Sequence, residues 1–154
     1  MRMNKNRRNM KNVILTLVAL VAFLVPANAD NDRPISPDQL PAAAKTFIQQ
    51  HFPDLTIAYA EIDQEYAKTT YEVRLSDGTK VEFKGDGQWD KVDCKYKAVP
   101  TVLVPEVIVK YVSAHYAGAL ITKIDKELYG YEIELNNGLD LKFSSNGQLL
   151  EIDD

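Results

Sequence analysis

The chain's two histidines, His51 and His115, each close a stretch in which apolar residues recur at helical spacing. Brought together and joined by a third donor such as Asp54, they would make a zinc-type site. Apart, each completes the apolar stripe of its own helix or sets a cation at a helix C-terminus, where the dipole favours it. Three aspartates, Asp86, Asp90 and Asp93, crowd the run GDGQWDKVD. Calcium loops space their acids differently, as Asp-x-Asp-x-Asp-Gly followed by a distant Glu, so a turn built with acids accounts better for this run. Asp63 with Glu65, and Asp125 with Glu127, are carboxylate pairs of the acid–base kind. Both fall where hairpin tips are expected, and exposed tips tune pKa values weakly. The sequence has no Gly-x-Ser-x-Gly, no phosphate loop and no Cys/His partnership of known spacing. Catalysis is therefore not expected, no metal site is assigned and no cofactor is implied. Cys94 is the only cysteine. It cannot form an internal disulfide and reads as a small apolar residue at a strand end.

These residues sit on a chain whose first part is not expected to belong to the fold. MRMNKNRRNMK carries five basic residues and no acid, NVILTLVALVAFLV is apolar but short for a bilayer, and Ala27-Asn28-Ala29 has the small-x-small form of a cleavage site. Residues 1–29 read as a cleaved signal peptide; an uncleaved anchor is the alternative. Cleavage would leave 125 residues, Asp30 to Asp154, enough for one domain. Five of the 18 basic residues lie in the leader, so 13 would face 22 acids, a charge near −9. Such a body is expected to avoid nucleic acid and anionic membranes.

Within 30–154 the chain repeats itself. Positions 71–93 and 131–153 share Tyr71/Tyr131, Glu72/Glu132, Leu75/Leu135, Gly78/Gly138, Phe83/Phe143, Gly87/Gly147, Gln88/Gln148 and Asp93/Asp153. EIDQE from Glu61 matches KIDKE from Lys123, Pro41 matches Pro105, and His51 matches His115. This spacing predicts two tandem units, about 35–95 and 98–154. Each opens with a helix. In SPDQLPAAAKTFIQQHF, Ser36 is the expected N-cap, with Pro37 at the first helical position and Gln39 closing a capping box. TVLVPEVIVKYVSAHY is rich in β-branched residues and by propensity favours a strand, but its match to the first unit predicts a helix. Four short strands then follow, in the first unit over 57–63, 70–76, 79–84 and 88–93, with Asp-Gly and Asn-Gly hairpin turns.

Alternation predicts the two faces of the sheet. Tyr71, Val73, Leu75, Val81, Phe83 and Val92, with Tyr131, Ile133, Leu135, Leu141, Phe143, Leu150 and Ile152, are expected under the helices. Glu72, Arg74, Lys80, Glu82, Lys84, Trp89, Lys91 and Asp93, with Glu132, Glu134, Asp140, Lys142, Leu149 and Glu151, are expected on an open face. Core partners differ by conservative swaps, whereas open-face partners reverse charge: Arg74/Glu134, Lys80/Asp140, Glu82/Lys142 and Lys91/Glu151. Either that face became an asymmetric binding surface or it drifted as a solvated one. Trp89, the only tryptophan, is the expected anchor, with Arg74, Lys91, Glu82, Lys142 and Leu149 around it.

A leader followed by YEVRLSDGTKVEFKGDGQWDKVD and YEIELNNGLDLKFSSNGQLLEID resembles the PepSY-like, β-lactamase-inhibitor-protein-like proteins of bacterial envelopes. One unit cannot cover both its helix and its sheet, so the two are expected to join their sheets edge to edge into one antiparallel sheet with both helices on one face; the resemblance implies the same α+β class, in two layers with a curved sheet. It also implies a periplasmic or secreted location and a role in binding another protein. Inhibition of an envelope hydrolase or peptidase is the form it suggests. It carries no catalytic residues. A small-molecule or metal carrier built around the helix ends is the other expectation.

Overall fold

The computed structural model describes residues 32–154. The leader and its cleavage site lie outside those residues. Over the described residues the chain is α+β, with two α-helices over a nine-stranded antiparallel sheet. In order come β1 (Arg33–Pro34), α1 (Ala42–His51), β2 (Ile57–Glu65), β3 (Lys68–Leu75), β4 (Lys80–Lys84) and β5 (Trp89–Asp93). Then follow α2 (Glu106–His115), β6 (Ile121–Glu127), β7 (Gly130–Leu135), β8 (Asp140–Ser144) and β9 (Leu149–Asp153). Strand neighbours in space are neighbours in sequence throughout.

Ser36 is the N-cap, with Pro37 first and Gln39 closing the capping box as expected, but the element it caps is short. Ser36 opens a single 3-10 turn, Pro37–Gln39, and its N–H donates to Gln39 Oε1 at 3.0 Å. The α-helix starts only after Pro41, because a residue preceding proline is pushed out of the α region, and Leu40 is extended at ψ 146°. The second half does the same, with a 3-10 turn at Thr101–Leu103 and a helix beginning after Pro105. The β-branched stretch is indeed α2. Ile108 and Val112 are buried in the common core, so tertiary packing outweighs local propensity.

The side chains of Val81, Val92, Ile124, Ile133 and Leu141 stand in register across β4 to β8 and are all fully buried. They define one continuous inner face. Phe83 and Phe143 extend it, and each meets a helix: Phe47 of α1 lies 5.6 Å from Phe83, edge to face, and Tyr111 of α2 lies 5.4 Å from Phe143. Both helices therefore cover the same side. The turn glycines make this approach possible. At Gly87 (φ 83°) a Cβ would come within 2.7 Å of Pro41, and at Gly147 (φ 82°) it would run into Val107.

Candidate functional site

Among the described residues no helix covers the other face of the sheet, and it is almost wholly charged. Lys80 Nζ reaches Glu72 at 2.9 Å and Arg74 Nη2 reaches the same carboxylate at 3.3 Å. Lys91 stands between Asp125 (3.2 Å) and Glu82 (4.0 Å). Burial works against the Lys91 charge, yet Glu82 and Asp125 outweigh it and hold its pKa above the ordinary value. Burial raises the Glu82 carboxyl in turn. Further across, Lys123 pairs with Glu134 at 3.7 Å, and Lys142 bonds both Glu151 and Asp153 at 2.8 Å. Arg74, Lys91, Glu82 and Lys142 thus occupy the expected face, as members of a lattice of ion pairs.

Trp89 and Leu149 do not. Trp89 pairs with Phe83 and its ring lies 6.0 Å from Phe47, on the helix side. Leu149 likewise pairs with Phe143 and packs on the core. The cause is a β-bulge. The ladder slips between Glu82 and Phe83, and again between Lys142 and Phe143, so the strand shows its opposite side before the bulge. Val92 and Cys94 keep their inward positions. Asp90 turns to the open face, where Lys84 lies 3.1 Å away, and its counterpart Leu150 is 54% exposed rather than buried. Ile152 is in register with core residue Leu141, but it stands on the edge strand and is 48% exposed. The signal was present in the sequence: Trp89 and Val92 are both apolar at an odd separation, which a regular strand cannot bury on one face.

A second feature lies at the hairpin-tip end. The β5–β6 ladder runs only from Lys91↔Asp125 to Asp93↔Lys123, and beyond it the strands part. The resulting notch forms a cleft of about 1010 Å³ lined by Lys68, Lys84, Asp90, Lys126 and Tyr131 among others. The Lys126 ammonium sits 3.6 Å from the Trp89 ring centroid and donates to the Trp89 carbonyl at 3.2 Å. Burial, and then the Lys84 charge, hold its pKa below the ordinary lysine value. Nothing in the spacing of the sequence announced this notch.

His115 stacks on Tyr111 at 4.1 Å, with Nδ1 2.9 Å from the Tyr111 carbonyl oxygen, and His51 lies 4.5 Å from Phe47. Each belongs to the ring cluster of its own helix. Asp86 and Asp93 accept backbone N–H groups two residues on, from Gln88 and Lys95. They build turns. No group of three His, Cys, Asp or Glu residues among those described is placed to hold a metal ion. Cys94 is buried, and burial pushes its thiol up to about 11.

An open antiparallel sheet under two helices, with one face in solvent, defines the class. The family described as putative beta-lactamase-inhibitor-like, PepSY-like matches residues 69–151, and the family described as peptidase propeptide and YPEB domain matches 34–90. A crystallised putative periplasmic protein of the DUF2874 family from Bacteroides vulgatus is 41% identical over 82% of this chain and 99% of its own, with a TM-score of 0.77. A putative calcium-regulated periplasmic protein from Bacteroides thetaiotaomicron is 40% identical over 82% and 99%, also at 0.77. A further putative periplasmic protein of unknown function from B. vulgatus is 38% identical over 80% and 99%, again at 0.77. No functionally curated protein matches. The chain belongs to the PepSY-like family, and like these relatives it is periplasmic or secreted.

Proposed function

We propose that the protein is a non-enzymatic binding module that engages another envelope or secreted protein through its open sheet face, inhibiting a hydrolase or peptidase there. The observation that carries this is the contrast between the faces. One buries a uniform apolar core, while the other leaves a broad charged surface uncovered whose pairs differ between the halves. The relation to a family described by peptidase propeptides supports a hydrolase as the target. We read 35–95 and 98–154 as a tandem duplication arranged as in β-lactamase-inhibitor proteins, following a cleaved leader, 1–29. The test is capture of a specific protein from periplasmic extract on the immobilised exported chain, followed by assay of the captured enzyme. Arg74→Glu with Lys80→Glu should abolish capture, and Lys110→Glu on α2 should not. Capture indifferent to the face variants would sink the proposal.

A second reading, a small-molecule or metal carrier, draws on the notch rather than the helix ends. Its cleft and the Lys126 ammonium suit a small anion, and one relative is described as calcium-regulated. Co-purified ligand detected by mass spectrometry, or a melting shift reversed by chelator, would favour it.

A further inference from the structure

Among the described residues the outer edge of β9 is unpaired, and the molecule contains its own template for what would complete it. The first-half counterpart of β9 is β5, and β5 is completed by β6: Lys91 faces Asp125, Val92 faces Ile124 and Asp93 faces Lys123. The Cys94 N–H donates to the Thr122 carbonyl at 2.8 Å, so residues 92 and 94 turn their backbone groups toward β6. By the same alternation Ile152 turns its N–H and C=O away from β8. Among the described residues no strand receives them. Leu150 and Ile152 are exposed along the same edge.

Charge decides what fits there. Where β5 offers Lys91 and Asp93, β9 offers Glu151 and Asp153. Lys142 is one cation shared by Glu151 and Asp153, and Glu132, Glu134 and Asp140 lie behind them, so this edge keeps an acidic excess; Asp140 Oδ1 is buried with no hydrogen-bond donor among the described residues. A second β9, paired antiparallel about Glu151, would set glutamate against glutamate. The strand corresponding to β6 in another copy is β2. In the β5–β6 register it would set Asp63 against Glu151 and Glu61 against Asp153, acid on acid at both positions. That edge of β2 is also closed by β1, with Pro34 opposite Glu61.

We propose that β9 accepts an extended segment of a partner protein by antiparallel strand addition, and that this segment carries the alternation basic–apolar–basic opposite Glu151, Ile152 and Asp153. The site is an edge rather than a face, so it stands or falls separately from the open-face reading.

The test uses the isotope-labelled exported protein and two synthetic peptides based on β6, ITKIKKE and its acidic counterpart ITEIEKE. At low salt the basic peptide should bind at least tenfold tighter, with amide shifts grouped on 149–154 and slowed exchange at Ile152. The advantage should shrink as salt rises. Glu151→Gln with Asp153→Asn should reduce the preference below threefold. Ile152→Pro, checked for an unchanged melting curve, should abolish binding; if it unfolds the protein, the charge variant alone decides. The proposal is overturned by equal binding of both peptides, by shifts confined to the open face, by no shift at millimolar peptide, or by self-association of the chain through β9.

Discussion

Trp89 and Leu149 stand at equivalent bulges, each paired with an equivalent phenylalanine, and their surroundings differ. Trp89 has β6 beside it, and Lys126 reaches across the notch onto its ring. Leu149 has no such strand beside it among the described residues. The local motif sets which way a side chain points. The neighbouring strand sets how much of it is buried and what it is worth. The interiors of the halves should therefore be interchangeable in energy, and the halves should diverge toward the β5 and β9 edges.

Phe83→Ala and Phe143→Ala probe the interior. Both rings are fully buried, and each loss should cost about 3–5 kcal/mol in urea unfolding, with the two within about 1 kcal/mol of each other. A cost twice as large in one half would break the comparison. The bulge positions come next. Trp89→Ala should cost about 2–3 kcal/mol and Leu149→Ala about 1–2, since both are only partly buried and Trp89 loses more contact. An unchanged melting temperature for Trp89→Ala would contradict its inward placement. Gly87→Ala and Gly147→Ala should each cost about 1–2 kcal/mol, because positive φ and the overlying helix start both oppose a Cβ. Gly138→Ala, with φ 88° but no atom within 4 Å of a Cβ, isolates the backbone part and should cost less.

The smaller effects are electrostatic. Lys91→Ala should cost about 1 kcal/mol or less, as partly exposed ion pairs do, and the loss should shrink with salt. Cys94 occupies the place that Asp154 holds beside β9. Its folded pKa, about 11, lies above the ordinary 9.0. The protonated thiol is thus favoured by folding, so its contribution is intact below pH 9 and is lost as pH rises from 9 to 11. A Cys94→Ala variant should show a flatter stability profile over that window. Equal slopes would place the thiol in solvent.

Much of this architecture could be read from the chain. The match of Pro41 to Pro105 and of His51 to His115 carried the helix assignment of residues 106–115 against propensity, and Asp-Gly and Asn-Gly placed the hairpins. The errors in face assignment have two causes. Alternation assumes an unbroken pleat, and one extra residue at each bulge reverses every assignment before it, as at Trp89 and Leu149. The same bulge turns Leu150 outward, while burial on an edge strand depends on a neighbour that period-two patterns do not encode, which is why Ile152 is exposed although alternation predicts it inside. The two-residue β1 was too short to show any period. The notch arises from divergence of β5 and β6, a property of two strands from different halves.

The contact between Lys126 and Trp89 makes the molecule its own spectroscopic reporter. An indole's emission responds to charge near its ring. This chain has one indole, with an ammonium 3.6 Å from its centroid and resting on the wall of the cleft. Any ligand that enters the notch and draws Lys126 away will change the colour of the protein's intrinsic fluorescence without a label. A strand added along β9, in the other half, will leave it unchanged.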